Sequence, residues 1–174
     1  DAARLLLDIG AEVNWANKNG HTPLFVACEH GHIDAARLLL EQGAEKKRAS
    51  KQGTTPLWAA CRNGHVDAAR LLLDNGAEVD RADEYDATPL CVACENGHVD
   101  AARLLLEKGA EVDRADENGK TPLYDACLNG HVDAARLLLE KGAAVDRARG
   151  NGCTPLYIAC EMGHVDVARL LLEN

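Results

Sequence analysis

Two short spacings in this chain of 174 residues could do chemistry: Cys91 and Cys94 form a Cys-x-x-Cys, and His30 stands two residues before His32. A thiol pair one helical turn apart suits a redox dithiol or half of a zinc site, and neighbouring imidazoles suit a metal ion. Each lacks its complement. No second cysteine pair is near, and five of the seven histidines, His32, His65, His98, His131 and His164, recur every 33 residues. Five of the seven cysteines do the same, at Cys28, Cys61, Cys94, Cys127 and Cys160. No glycine-rich phosphate loop occurs, and no set of serine, histidine and carboxylate stands in one place only. The sequence therefore offers no catalytic residue, no metal ligand and no cofactor site. Residue types that could react are written once per repeat, which is the mark of a structural role.

The repeat itself must position them. "NGHVDAARLLLEKGA" stands at 96–110 and again at 129–143, and Thr-Pro-Leu recurs at 22–24, 55–57, 88–90, 121–123 and 154–156, so that all five prolines share one column. A period of this length means an array of small units and not one globular core. The cuts fall as a half unit at 1–16, whole units at 17–49, 50–82, 83–115 and 116–148, and a truncated unit at 149–174.

Each unit can be read from local physics. Thr88 is a good N-cap and Pro89 suits the first helical position, where a missing N–H costs nothing, so a short helix opens there. Gly97 supplies a left-handed stop, "VDAARLLLEK" carries apolar side chains at helical spacing, and Gly109 stops the second helix. "AEVDRADENG" follows, rich in turn formers, and reads as an extended hairpin-like loop. Neither helix is long enough to stand alone. Stacking neighbours must bury Leu90, Ala93, Leu104 and Leu105, with stability close to a sum of nearest-neighbour terms.

At this point the residues carry a resemblance. "NGKTPLYDACLNGHVDAARLLLEKGAAVDRA" resembles the ankyrin repeat, with its glycine turn, Thr-Pro-Leu, small residues, Gly-His, leucine-rich second helix and Gly-Ala, and the match covers the whole chain. The resemblance implies an all-α repeat fold, an ankyrin-repeat solenoid of stacked helix-turn-helix units with hairpin-like loops. It also implies that the Gly-His histidines tie the turn together. Departures stand at Phe25, Trp58, Cys91, Tyr124 and Tyr157, in the column of the family's usual histidine, and at the cysteine column, where alanine is usual. Asp86 replaces the hairpin glycine of the other units, and Lys46 replaces Val13, Val79, Val112 and Val145. Both mark loops expected to sit differently.

Composition excludes several classes. A formal charge of −9 argues against a nucleic-acid binder, which needs a basic face. No apolar stretch approaches the roughly 18 residues of a membrane helix. Helices stacked about 8–10 Å apart cannot bridge the cysteine column, because disulfide Cα atoms lie within about 7 Å. Free, buried thiols suit a reducing compartment, cytoplasmic or nuclear. Cys153 falls at a loop tip. The chain opens on "DAARLLLDIG", with Leu5, Leu6 and Leu7, and closes on "VDVARLLLEN" without the polar outer face of a capping unit, so it is expected to be part of a longer array.

Function is expected in what does not repeat. On a helical wheel with Leu90 at zero, Val92, Glu95 and Asn96 point away from Ala93 and Cys94. Down the array their columns vary: Val26, Ala59, Val92, Asp125 and Ile158; Glu29, Arg62, Glu95, Leu128 and Glu161; His30, Asn63, Asn96, Asn129 and Met162. Hairpin tips vary as well, including Lys51, Gln52, Tyr85, Asn118 and Lys120. By the resemblance these positions line a concave groove. Two patches stand out. Residues 17–49 hold five Lys and Arg against four Asp and Glu, and 83–115 hold three against eight, so Lys46, Lys47, Arg48 and Lys51, with Arg62, form a basic run able to steer an acidic partner segment. Tyr124, Leu128, Tyr157, Ile158 and Met162 form an expected apolar anchor on the outward or flanking side of the last two units, with Asp125 among them. The reading is a non-catalytic protein-binding scaffold with a protein partner. Its rivals are a regulatory or substrate-docking segment of a larger enzyme or channel, and an engineered repeat binder.

Overall fold

Every Thr-Pro in the chain opens a helix. Thr22, Thr55, Thr88, Thr121 and Thr154 are extended N-caps whose Oγ1 accepts from the backbone N–H three residues on, at 3.1–3.2 Å. Such a cap contributes about 1 kcal/mol to a helix that could not nucleate alone. The computed structural model describes residues 4–5 and 9–174, and Leu6 and Leu7 of the expected first half unit lie outside them. Among the described residues there are ten helices and no strand: α1 (Pro23–Glu29), α2 (Ile33–Glu41), α3 (Pro56–Arg62), α4 (Val66–Asp74), α5 (Pro89–Glu95), α6 (Val99–Glu107), α7 (Pro122–Leu128), α8 (Val132–Glu140), α9 (Pro155–Glu161) and α10 (Val165–Leu172). None is long and apolar enough to cross a membrane.

The odd-numbered helices form one layer and the even-numbered helices a second, each helix packing on its antiparallel partner and on its equivalents in the adjoining units. Small residues set the spacing. Ala60, Ala93, Ala126, Ala68, Ala101 and Ala134 are fully or nearly fully buried, and Leu57, Leu90, Leu123, Leu105 and Leu138 fill the space between the layers. The predicted burial of Leu90, Ala93, Leu104 and Leu105 is therefore met.

The turn between paired helices depends on glycine for two reasons at once. Gly97 sits at φ +70°, and a Cβ there would lie 2.7 Å from Nδ1 of His131 in the next unit. The histidine acts between units more than within its own turn. It occupies the N-cap position of the second helix but makes no side-chain cap bond. Nε2 of His131 instead donates to the carbonyl of Glu95 at 3.0 Å, and Nε2 of His164 to that of Leu128 at 3.1 Å. A carbonyl can only accept, so Nε2 carries the proton. Glu95 and Leu128 end their helices, and each otherwise has an unpaired terminal carbonyl.

The loops are hairpin-like in their hydrogen bonds. Asp83 N donates to Ala87 O at 3.1 Å and Asp116 N to Lys120 O at 3.0 Å, while Asp83 and Asp116 each accept two backbone N–H groups through Oδ1. Adjacent tips join through Lys51 N to Asn19 O, Glu84 N to Gln52 O and Glu117 N to Tyr85 O, each at 3.0 Å. Asp86 does not displace its loop, contrary to the expectation drawn from its missing glycine. It adopts the left-handed conformation itself, at φ +60°, and both the hairpin bond and the bond to Glu117 are kept.

A further link between units escaped sequence reading. Asn14, Asp80 and Asp113 accept the N–H of Glu45, Glu111 and Ala144, each 31 residues on. Lys47 holds the same column, offers no acceptor, and pairs its ammonium with the Glu78 carboxylate at 2.8 Å. That contact holds Glu78 below the usual carboxylate range.

Candidate functional site

Side chains of α1, α3, α5 and α7 and of the hairpins beside them line a groove of about 400 Å³. Aromatic groups stand at one end. The His21 and Phe25 rings stack with centroids 4.1 Å apart, and the Arg62 guanidinium lies 5.4 Å above the Trp58 ring. Trp58 is itself fixed, since Nε1 donates to Ala87 O at 3.1 Å in the next hairpin. Tyr85 stands at a hairpin tip, 55% exposed, and lines the groove. Carboxylates dominate the rest: Glu29, Asp83, Glu95, Asp116 and Asp125, against Arg62 and Lys120.

Asp125 differs from the others in being 6% exposed. Its nearest cation, Lys120 Nζ, is 4.0 Å from Oδ1, beyond hydrogen-bond reach. Burial raises the Asp125 pKa from 3.8 to about 7, offset in part by Lys120 and reinforced by Glu95 and Asp116. Lowered solvation penalises the charged form of a carboxyl that lacks close donors.

Four of the sequence-predicted site residues, Arg62, Tyr85, Glu95 and Asp125, line this groove together. The others do not. Lys51 is exposed on a hairpin, and Lys47 is paired with Glu78. Arg48, from the same basic run, donates to Asn14 O at 3.2 Å, so the run is partly tied into the stack. The outward anchor expected on the last two units needs correction. Tyr124 is 2% exposed, with the Arg149 guanidinium 5.4 Å above its ring, and Ile158 is 5% exposed. Asp125, expected among outward residues, is buried at the groove floor. Tyr157 and Met162 are exposed, at 54% and 48%, and Leu128 is half-buried against the core.

The reason is geometric. A wheel drawn for one helix registers its antiparallel partner but not the two equivalent helices on either side. The column of Ala59, Val92, Asp125 and Ile158 is covered by those neighbours, whereas Glu95 and Asn96 clear them. Trp58 and Tyr124, in the column before it, are covered by the following hairpin, and Tyr157 has no such hairpin over it among the described residues. Cys160 is exposed for the same reason, against the expectation of burial, while Cys28, Cys61, Cys94 and Cys127 are buried.

The Cys-x-x-Cys holds no reactive thiolate. The Cys91 thiol accepts from Thr88 Oγ1 at 3.3 Å and donates to Arg114 O at 3.6 Å. Burial pushes it up to about 12, and Cys94 well above the ordinary thiol range. Neither ionises near neutrality, which a nucleophile or metal ligand requires. Lys120, Asp116 and Trp58 also line the groove; Lys120 was legible as a hairpin-tip column and Trp58 as an aromatic substitute, while Asp116 and the convergence of the three were not.

First helices and loop tips laid over a core that repeats beneath them define a repeat solenoid. The family model for ankyrin repeats (three copies) matches residues 1–49, 45–116, 80–149 and 113–174. The chain belongs to the ankyrin-repeat family. Ankyrin repeats are protein–protein interaction modules. No curated protein matches the chain.

Proposed function

We propose that this array is a non-catalytic scaffold that binds a partner protein through the groove and hairpin tips. One observation carries the reading: the positions that differ from unit to unit converge on a continuous groove, while the columns beneath them repeat. Arg62 and Glu95 share a column filled elsewhere by Glu29 and Leu128, Tyr85 stands in a column filled elsewhere by Gln52 and Asn118, and the three line one groove across two adjoining units. Variation concentrated on one concave face gives a surface that can specify a partner without disturbing the nearest-neighbour contacts that hold the stack. Arg and Tyr are also the residue types that most often dominate binding energy.

The test is affinity capture with the full chain, comparing Arg62→Ala with Tyr85→Ala against a control pair on the second-helix face, Arg70→Ala with Asp100→Ala. Partner lost with the first pair and kept with the second supports the groove. Partner kept with both assigns recognition elsewhere.

A further inference from the structure

We propose that the groove receives a basic segment of the partner protein, and that one lysine or arginine side chain of that segment seats on the Asp125 carboxylate. The inference rests on the groove reading and adds the chemistry of the occupant.

Charge gives the first argument. Five carboxylates and two cations line the groove, and the 83–115 stretch that supplies its centre holds eight Asp and Glu against three Lys and Arg. An acidic segment would meet repulsion along this length, and a basic one would be steered into it.

Asp125 supplies the second, independent of the count. Asp83 and Asp116 have a local task, accepting the N–H groups of their own hairpins. Asp125 has none: its side chain is 92% buried, it lines the groove, and no donor among the described residues lies within hydrogen-bond distance of its carboxyl. Its oxygens meet the groove and no protein donor among the described residues, so the charged form is solvated less well than a paired carboxylate would be. Asparagine or threonine would fill much the same volume without the charge. An ammonium or guanidinium entering from the groove supplies the missing donors, and a guanidinium can do so with two parallel bonds.

The surroundings fit such a guest. Glu95 is exposed and lines the same groove, where it can take a second contact, and the exposed Tyr85 ring offers a face for the apolar stem or the cation. Lys120 stands at 4.0 Å and is too far to satisfy the carboxylate. The charged and titratable groups acting on Asp125 are Lys120 and Arg149 from the flanking loops, Asp116 from its own hairpin, and Glu95, Cys91 and Cys94 from α5. Seating a cation needs the ionised carboxylate, so binding should strengthen as pH rises across the range where Asp125 gives up its proton.

Fluorescein-labelled nonapeptides alternating arginine with glycine, and the same peptides with glutamate, provide the probe for the full chain, read by anisotropy at pH 6 and pH 8. Arginine peptide is expected to bind tighter at pH 8, and Asp125→Asn to weaken it about tenfold at that pH and flatten its pH dependence, since a hydrogen bond to a charged group is lost. Glu95→Gln, at an exposed position, should weaken it less, and Asp67→Asn on the opposite face should leave it within about twofold, as expected for an exposed, screened charge. A thermal melt of Asp125→Asn checks that it folds. Equal binding of the glutamate peptide, or an arginine-peptide affinity untouched by Asp125→Asn, overturns the proposal. The groove reading fails separately. Natural partner lost with Arg62→Ala and Tyr85→Ala but kept with Asp125→Asn leaves the groove standing and removes the basic guest, whereas partner kept with all three removes both.

Discussion

His131 reaches back 36 residues to donate from Nε2 to the carbonyl of Glu95 at 3.0 Å, and the same ring fills the space above Gly97. One side chain thus caps the end of a helix in the preceding unit and closes the gap that only glycine leaves open.

Gly97→Ala should destabilise the array by about 2–4 kcal/mol, because the backbone is left-handed and the new Cβ would stand 2.7 Å from the ring. His131→Ala should cost about 1–3 kcal/mol through the unpaired Glu95 carbonyl. The double variant should cost less than the sum, since the clash disappears with the ring. Urea denaturation of the four proteins measures the coupling; strict additivity would mean that the ring and the glycine are independent.

Asp86 holds a left-handed φ of +60° that glycine holds in the equivalent hairpins, at +77° in Gly53 and +78° in Gly119. Asp86→Gly should raise stability by about 1 kcal/mol by relieving that conformation. Gly53→Ala should do the reverse and by more, because its Cβ would also meet Glu84 N at 2.8 Å. Unfolding midpoints decide both.

Much of this was legible in the sequence because local chemistry fixes it. Thr-Pro, a lone glycine and an amphipathic leucine run each dictate a helix start, a stop and a buried face within a few residues. Position relative to neighbouring units was not legible. Val92 and Asp125 point away from their own helix partner, and only the stacking of adjacent units buries them. The Asn14, Asp80 and Asp113 column was visible as a polar residue recurring every 33, yet its target lies 31 residues downstream and becomes apparent only when units meet. Asp86 shows the converse: a departure in sequence can leave the backbone where it was.

The two aromatic and thioether positions once grouped as one anchor should now behave differently. Tyr124→Ala removes a ring that is 2% exposed and should cost about 3 kcal/mol or more of stability. Met162→Ala trims a half-exposed side chain and should change stability by no more than about 0.5 kcal/mol. Thermal melts of both, alongside partner capture, separate them: a large loss of stability in Met162→Ala would place that side chain in the fold.

Asp125 should give the array an unusual pH profile. Its pKa is raised by burial from 3.8 to about 7, so between those values the folded protein keeps a proton that the unfolded chain has released. Stability rises with pH where the unfolded state binds more protons, and here the folded state binds more, so the sign is reversed. The contribution is fully present below about pH 4 and is lost as pH climbs to about 7, a span worth at most about 4 kcal/mol. Asp125→Asn carries no such proton. Its stability relative to the parent should therefore grow from pH 4.5 to pH 7 and level off above it, while carboxylates remote from Asp125 titrate alike in both proteins and drop out of the difference. Urea denaturation of the pair at four or five pH values measures the curve, and a difference that stays constant across the range would mean that the Asp125 carboxyl is ionised throughout, with a partner close enough to keep it so.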